Sequence, residues 1–133
     1  MTGLLISLLV SQGQWARTYG GTGYDLANSV TPTTDGGCAV AGYTQSFGAG
    51  GSDFLALRLN PDGSVAWAET YGGTGNDAAY AITQTTDGGF VVAGSTTSFG
   101  AGYADFLVLK LNSSGNLEWA RTYGEPTMTA HTA

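Results

Sequence analysis

Four aspartates that recur at a fixed spacing are the residues of this sequence best suited to ligand chemistry. Each falls beside a glycine-rich stretch and close to an aromatic side chain. Carboxylates together with the carbonyl groups of glycine loops provide the oxygen ligands that Ca²⁺ prefers, and aromatic rings beside a carboxylate could hold a sugar. The candidate residues for a ligand or Ca²⁺ site are Asp25, Asp53, Asp77, Asp105, Tyr24 and Tyr103, with Phe47 and Phe99 beside them.

The same aspartates also have a purely structural interpretation. An Asp side chain at the start of a strand can accept hydrogen bonds from nearby backbone N–H groups, and such a cap would recur in every repeat for folding reasons alone. Both interpretations stay open for the four candidates. Three further aspartates, Asp35, Asp62 and Asp87, lie in tight turns, where we expect the structural role.

Other reactive side chains are too few to build a catalytic centre. His131 is the only histidine and Cys38 the only cysteine, so a Ser-His-Asp triad, a Cys-His pair and a thiolate metal cluster each lack a member. The glycine-rich stretches lack the lysine and the following helix of a phosphate-binding loop. We therefore expect no enzyme activity, no catalytic residue and no cofactor, with Ca²⁺ as the one candidate ion.

The composition indicates short strands and tight turns. Charged residues make up 11% of the 133 positions, against about 25% in an average soluble domain, while the 22 glycines exceed the usual share of about 7%. The 10 acidic and 4 basic residues give a net charge of −6. Because affinity for nucleic acid depends on neutralising phosphates with basic side chains, we expect no nucleic-acid partner.

An internal repeat organises most of the chain. Trp15, Trp67 and Trp119 are evenly spaced by 52 residues, and the first two repeats, aligned without a gap, are identical at 32 of 52 positions. We divide the chain into an N-terminal segment 1–14, the repeats 15–66 and 67–118, the start of a third repeat at 119–124, and a divergent tail at 125–133.

Each repeat contains four strand-length runs separated by turn residues. The Thr-Asp-Gly-Gly sequence at 34–37 is typical of a hairpin turn. Residues 54–60 are apolar on both faces over most of their length, which predicts a sheet covered on both sides. Four short antiparallel strands at constant period predict a β-propeller blade, with residues 15–20 as an isolated fourth strand. A β-solenoid or a two-sheet sandwich remain alternatives. In an up-and-down blade, the loops that carry the four candidate aspartates emerge on one face.

The repeat resembles a known family. The T-Y-G-G-x-G-x-D, T-D-G-G and S-F-G-A-G-x-x-D segments are similar to secreted bacterial and archaeal β-propeller repeat proteins of the SBBP type, over about residues 15–124. The ending L-N-x-x-G-x-x-x-W also resembles the tryptophan-docking motif of quinoprotein propellers. These resemblances imply a propeller fold and a docking role against an adjacent blade for Trp15, Trp67 and Trp119, but they specify no chemistry.

The N-terminal segment 1–14 is apolar over its first ten residues. It is too short to span a bilayer. It resembles the apolar core of a secretory signal peptide that lacks its basic start, and the alternative is an apolar strand. A secreted or cell-surface location follows from the first interpretation.

The leading hypothesis from these observations is a non-enzymatic propeller module that acts as a scaffold or adhesion surface. The alternative is a carbohydrate- or Ca²⁺-binding propeller that uses the aspartate face, and a quinoprotein-like enzyme fragment comes third. Because complete propellers have about four to eight blades, we expect further blades or a homo-oligomer as partners, and polysaccharide or cell-surface proteins as possible ligands. Leu55, Leu57, Leu59 and their second-repeat equivalents are expected on outer faces that need cover.

Overall fold

Two antiparallel sheets make up the fold. The computed structural model describes residues 15–100 and 103–124, and the backbone alone of 129–132. The first sheet has the strand order β1-β2-β3-β4 and the second the order β5-β6-β7-β8-β9. The strands are β1 Asp25–Pro32, β2 Cys38–Thr44, β3 Asp53–Leu59, β4 Val65–Tyr71, β5 Asp77–Gln84, β6 Phe90–Thr96, β7 Asp105–Leu111, β8 Leu117–Gly124 and β9 Thr129–Thr132.

The predicted fold class is confirmed: each of the first eight strands belongs to a four-stranded up-and-down blade, and consecutive strands pair throughout. The strand beyond the two blades is β9, which pairs with β8 inside the segment assigned to the tail. Residues 15–20 lie in none of the described strands. The segment 119–124, where a third repeat begins in the sequence, is part of β8, the fourth strand of the second blade. The described residues contain no helix long and apolar enough to cross a membrane.

Turn chemistry fixes the hairpins. Between β1 and β2, the N–H of Gly36 donates to the Thr33 carbonyl at 3.1 Å and the N–H of Thr33 donates to the Gly37 carbonyl at 3.0 Å. Gly36 has a φ of 89°, a conformation that glycine adopts without the strain of a Cβ. The equivalent turn at 85–89 repeats the two bonds, so the two sheets share one hairpin design.

The hydrophobic core lies between the two sheets. Alternate side chains of β2 and β3 point towards the second sheet, which presents the opposite phase of β6 and β7, as expected for strands with a two-residue side-chain period. Arg58 covers one end, with its guanidinium carbon 5.5 Å from the centroid of the Phe90 ring. The core residues are Ala39, Ala41, Phe54 and Ala56 from the first sheet, and Ala79, Ile82, Phe90, Val92, Leu107, Leu109, Leu111 and Ala120 from the second.

Candidate functional site

The four candidate aspartates lie at one end of the two sheets. Each is the first residue of its strand, namely β1, β3, β5 and β7. Thr44 at the end of β2 faces Asp25 on one side and Asp53 on the other. The equivalent Thr96 at the end of β6 stands between Asp77 and Asp105 in the same way.

Asp25 and Asp77 accept the same set of hydrogen bonds from their own blades. Asp25 accepts the Thr44 hydroxyl, the Ser46 hydroxyl at 2.7 Å and the Gly21 N–H at 3.0 Å. These bonds, that of Thr44 first, lower the pKa of the Asp25 carboxyl. Both carboxylates therefore have the geometry of a cap. Each links the segment that precedes its own strand, β1 or β5, to the end of β2 or β6. The donors to Asp77 are the Thr96 hydroxyl, the Ser98 hydroxyl at 2.7 Å and the Gly73 N–H at 3.1 Å.

Asp53 differs from these two caps. Its Oδ2 accepts the N–H of Ala49, whereas its Oδ1 is buried and has no hydrogen-bond partner among the described residues. The side chain is only 2% exposed. Burial first, and then the negative charge of Asp77, raises the pKa of Asp53. A buried carboxylate oxygen without a donor is costly to leave ionised, so it marks a place where a proton or a cation would be favourable.

Asp53 and Asp77 meet at the junction between the two blades. A Cβ built on Gly72, which follows β4, would stand 2.5 Å from Asp53 Oδ1 and 2.7 Å from Asp77 Oδ2. Only glycine leaves room for both oxygens at this position. Within the described part of the chain, no group of three or more His, Cys, Asp or Glu side chains is arranged to hold a metal ion. The structure thus joins two of the four candidates, and Asp25 stands apart from this pair with donors of its own.

The remaining candidates have different surroundings. Asp105 is buried, and its Oδ1 lies 1.8 Å from the position that a Cβ on Gly124 would take. Tyr24 and Tyr103 are both highly exposed, Tyr103 at 96%. Phe47 is about half-exposed. Phe99 packs against the core, so the aromatic side chains do not form one common surface with the buried carboxylates.

The aspartates at the opposite end hold hairpin turns. Asp35 accepts the Thr33 hydroxyl at 2.6 Å and the Gly37 N–H at 3.0 Å. Asp87 accepts the equivalent Gly89 N–H at 2.9 Å and pairs with Lys110 at 3.0 Å. These bonds lower the pKa of both carboxyl groups, the neighbouring threonine hydroxyl being the largest cause in each.

The outer faces of the two sheets form a second candidate site. Phe54 is fully buried between the sheets, whereas Phe106, one repeat later, is 62% exposed on the outer face of the second sheet. On the outer face of the first sheet, Val30 is 64% exposed, whereas its equivalent Ile82 is 7% exposed. Equal residues in the two repeats therefore differ in burial, because only one face of each sheet is covered.

This arrangement corrects one expectation about the leucines of the third strand. The second-repeat equivalents of the β3 leucines were expected on an outer face, but they lie between the sheets, none of them more than 2% exposed. In the first sheet, Leu57 and Leu59 are also buried, while Leu55 and Leu57 line cavities beneath Tyr19. The prediction placed these leucines on the wrong face of the second sheet. The exposed face of β7 is the one that carries Phe106. The buried equivalents are Leu107, Leu109 and Leu111.

Two of the three tryptophans contact the turn between the third and fourth strands of a blade. Trp67 Nε1 in β4 donates to the Ser113 carbonyl at 2.9 Å, and its ring meets Phe90 edge-on with centroids 5.8 Å apart. Trp15 Nε1 donates to the equivalent carbonyl, that of Pro61, also at 2.9 Å. Trp119 in β8 is 41% exposed.

Comparison with known proteins agrees with this architecture. The family model described as Domain of unknown function (DUF5122) beta-propeller matches residues 35–65 and 85–118. Each match starts in the first hairpin turn of a blade and ends within the first two residues of its fourth strand. Among curated proteins, none matches this sequence. The two stacked four-stranded blades and the paired family match together support the conclusion that the chain is a β-propeller repeat protein.

Proposed function

We propose that this chain is a non-enzymatic propeller module that acts as a scaffold or interaction surface. The observation that carries the proposal is the contrast between Phe54 and Phe106, one buried and the other exposed at equivalent positions of the two blades. A large aromatic side chain on an open apolar sheet face favours association with another protein surface. Binding through such a face requires no catalytic group.

A secreted or cell-surface location is part of this proposal. It is supported by the apolar residues within 1–14, which resemble the core of a signal peptide and lie outside the described residues. The resemblance to secreted SBBP-type repeats supports the same location.

We also propose the docking role for the tryptophans. Trp67 spans the blade junction with one hydrogen bond and one aromatic contact, and Trp15 makes the equivalent bond to the first blade. Both contacts support a wedge between neighbouring blades.

Association through the outer face can be tested with Phe106→Asp. A charge on this apolar face should weaken self-association or partner binding by about tenfold or more, because the few central side chains that dominate an interface contribute about 2 kcal/mol or more each. Tyr103→Ser is the matched control, since Tyr103 is an exposed aromatic residue in a loop. Sedimentation velocity over a concentration series measures the effect. If the wild type associates and Phe106→Asp leaves its mass distribution unchanged, the interaction role of this face is wrong.

The carbohydrate- or Ca²⁺-binding alternative is favoured by a different observation, the unpartnered Oδ1 of Asp53 beside Asp77. Ca²⁺ needs about six to eight oxygen ligands, so these two carboxylates would need carbonyl groups and water to complete the shell. Scanning calorimetry in Ca²⁺ and in EDTA tests this, because an ion that binds only the folded state raises the melting temperature. A rise that Asp53→Asn abolishes supports the Ca²⁺ site, and an equal melting temperature in both buffers eliminates it.

A further inference from the structure

The outer face of the first sheet matches a face that is already buried within the chain. Val30 on this face corresponds to Ile82, and Leu55 corresponds to Leu107; both equivalents lie in the interface between the sheets. The first sheet therefore carries, on its outer side, the same type of surface with which the second sheet binds the first.

The outer face of the second sheet matches the other half of the same interface. Phe106 corresponds to Phe54, and Val108 corresponds to Ala56, both of which belong to the core. Since each free face is the repeat equivalent of one side of the internal contact, the two free faces are complementary to each other. They cannot meet within one chain, because they lie on opposite sides of the stacked pair of sheets.

We infer that the partner for these faces is a second copy of this chain, bound head to tail, with the second sheet of one copy packed on the first sheet of the next. The inference rests on the proposed interaction function and specifies its partner. A contact of this kind is heterologous and can close into a ring. Complete propellers contain about four to eight blades, and each copy contributes two, so rings of about two to four copies fall within that range.

Part of this binding site is occupied within the free chain. Tyr71 in β4 donates its hydroxyl to the Gly115 carbonyl of the second blade, and Tyr19 donates to the equivalent Gly63 carbonyl of the first blade at 2.5 Å. The hydrogen bonds of Tyr19 and of Trp15, which donates to the Pro61 carbonyl, reproduce those that β4 makes across the blade junction. Residues 15–20 thus hold the position that a fourth strand from a neighbouring blade would take.

In the head-to-tail contact, β8 of the second copy would bring Trp119 and Tyr123 to this same turn. These two residues are the repeat equivalents of Trp67 and Tyr71. Residues 15–20 must therefore leave the turn at 61–63 before the second copy can bind completely. Competition between the chain's own segment and β8 of a second copy limits the affinity, because only the fraction of chains with an open turn can bind.

Two exposed substitutions test the head-to-tail geometry. Val30→Asp disables the outer face of the first sheet and Phe106→Asp that of the second; both positions are more than half exposed, so circular dichroism should show the native fold. Each variant alone should sediment as a monomer. An equimolar mixture should form a dimer, since one intact face of each kind remains and the two can pair once.

The mixture also identifies the alternatives. If Val30→Asp alone still dimerises, the chains pair through two Phe106 faces, and the head-to-tail inference is wrong although the interaction function stands. If the mixture remains monomeric while the wild type associates, the inference is again wrong. If the wild type itself remains monomeric at every concentration, the inference that a second copy is the partner is wrong.

A pair of tryptophan variants tests the competition. Trp15→Ala should lower the dissociation constant of self-association by about threefold or more, because it releases the turn at 61–63. Trp119→Ala should raise the dissociation constant, because it removes the incoming contact. The two residues are exposed to a similar degree, so each controls for the other. An unchanged or higher dissociation constant in Trp15→Ala would overturn the competition.

Discussion

At the scale of single residues, Asp53 shows how neighbours decide the role of a repeated side chain. Asp25 and Asp77 each accept two hydroxyl groups and one N–H. Asp53 accepts a single N–H from Ala49 and faces the carboxylate of Asp77 across Gly72. Its raised pKa follows from that environment, burial being the larger cause.

The pH dependence of stability should report this difference. The folded chain keeps the Asp53 proton to a higher pH than the unfolded chain does, so unfolding releases a proton in a window that extends upward from the ordinary value of 3.8. The contribution of this group to the free energy of unfolding therefore falls as the pH rises through that window. Asp53→Asn should remove the fall and stabilise the fold at neutral pH by about 1 kcal/mol, the order of the cost of an unsatisfied buried group.

Urea unfolding at several pH values between about 2 and 7 measures this effect. Asp25→Asn is the control with the opposite sign, because its lowered pKa stabilises the fold at neutral pH and this contribution is lost as the pH falls through the folded pKa. A destabilised Asp53→Asn variant would contradict the account of Asp53.

Trp67 and Trp119 provide a comparison of one side chain with and without a neighbouring blade. Trp67→Ala should lower the free energy of unfolding by about 2 to 3 kcal/mol, below the range of about 3 to 5 kcal/mol for a fully buried aromatic residue, since Trp67 is half-buried. Trp119→Ala should cost less than about 1 kcal/mol in a monomeric sample, because its side chain is 41% exposed. Equal losses in urea melts would show that the blade junction adds nothing at Trp67.

The sequence contained part of this information. The spacing of the aspartates was visible, and the Thr-x-Ser pattern at 44–46 and 96–98 could have identified which of them are capped. The unpartnered oxygen of Asp53 was not predictable, because it depends on the approach of a second blade. The same applies to Gly72, which looks like any other turn glycine until two carboxylates meet beside it.

At the scale of elements, alanine substitutions at two hairpin glycines distinguish the effect of backbone strain from that of contact between the blades. Gly88 and Gly115 both have a φ of 84°, so alanine at either position should be strained by about 1 to 2 kcal/mol. A Cβ at Gly88 would meet its nearest neighbour, Ser113, at 3.9 Å, whereas a Cβ at Gly115 would stand 2.7 Å from the ring of Trp67.

We therefore expect Gly115→Ala to lower the free energy of unfolding by about 1 kcal/mol more than Gly88→Ala does. The reason is that overpacking typically costs about 1 to 3 kcal/mol. Urea melts of both variants test the difference. In a Trp67→Ala background the two losses should become equal, and a difference that persists there would show that Trp67 is not the obstacle.

The strands and hairpins themselves could be predicted from turn residues and alternation, because both are local. The burial of each face could not. Leu55 and Leu107 are the same residue type at the same repeat position, but only Leu107 has a sheet packed against it. Near-identical repeats leave such asymmetry invisible in the sequence, since burial depends on what lies outside each blade.

At the scale of the whole molecule, the two blades stack through one interface, and each blade leaves its other face open. Each open face is the repeat equivalent of one side of that interface. We expect the open faces to associate, and residues 15–20 to compete for one of them. Repeat arrays of this type are stabilised by contacts between neighbours, so an uncovered end is an unsatisfied interface. The net charge of −6 on each copy opposes the association, and salt should therefore strengthen it.

Association through the open faces is measured most directly by the molar mass of the purified chain, determined by light scattering over a wide range of concentration. We expect a mass above the 13.6 kDa of one chain, which decreases towards that value on dilution and under the Phe106→Asp substitution. A well-folded species that stays at 13.6 kDa at every concentration, with a cooperative melt independent of concentration, would contradict this expectation.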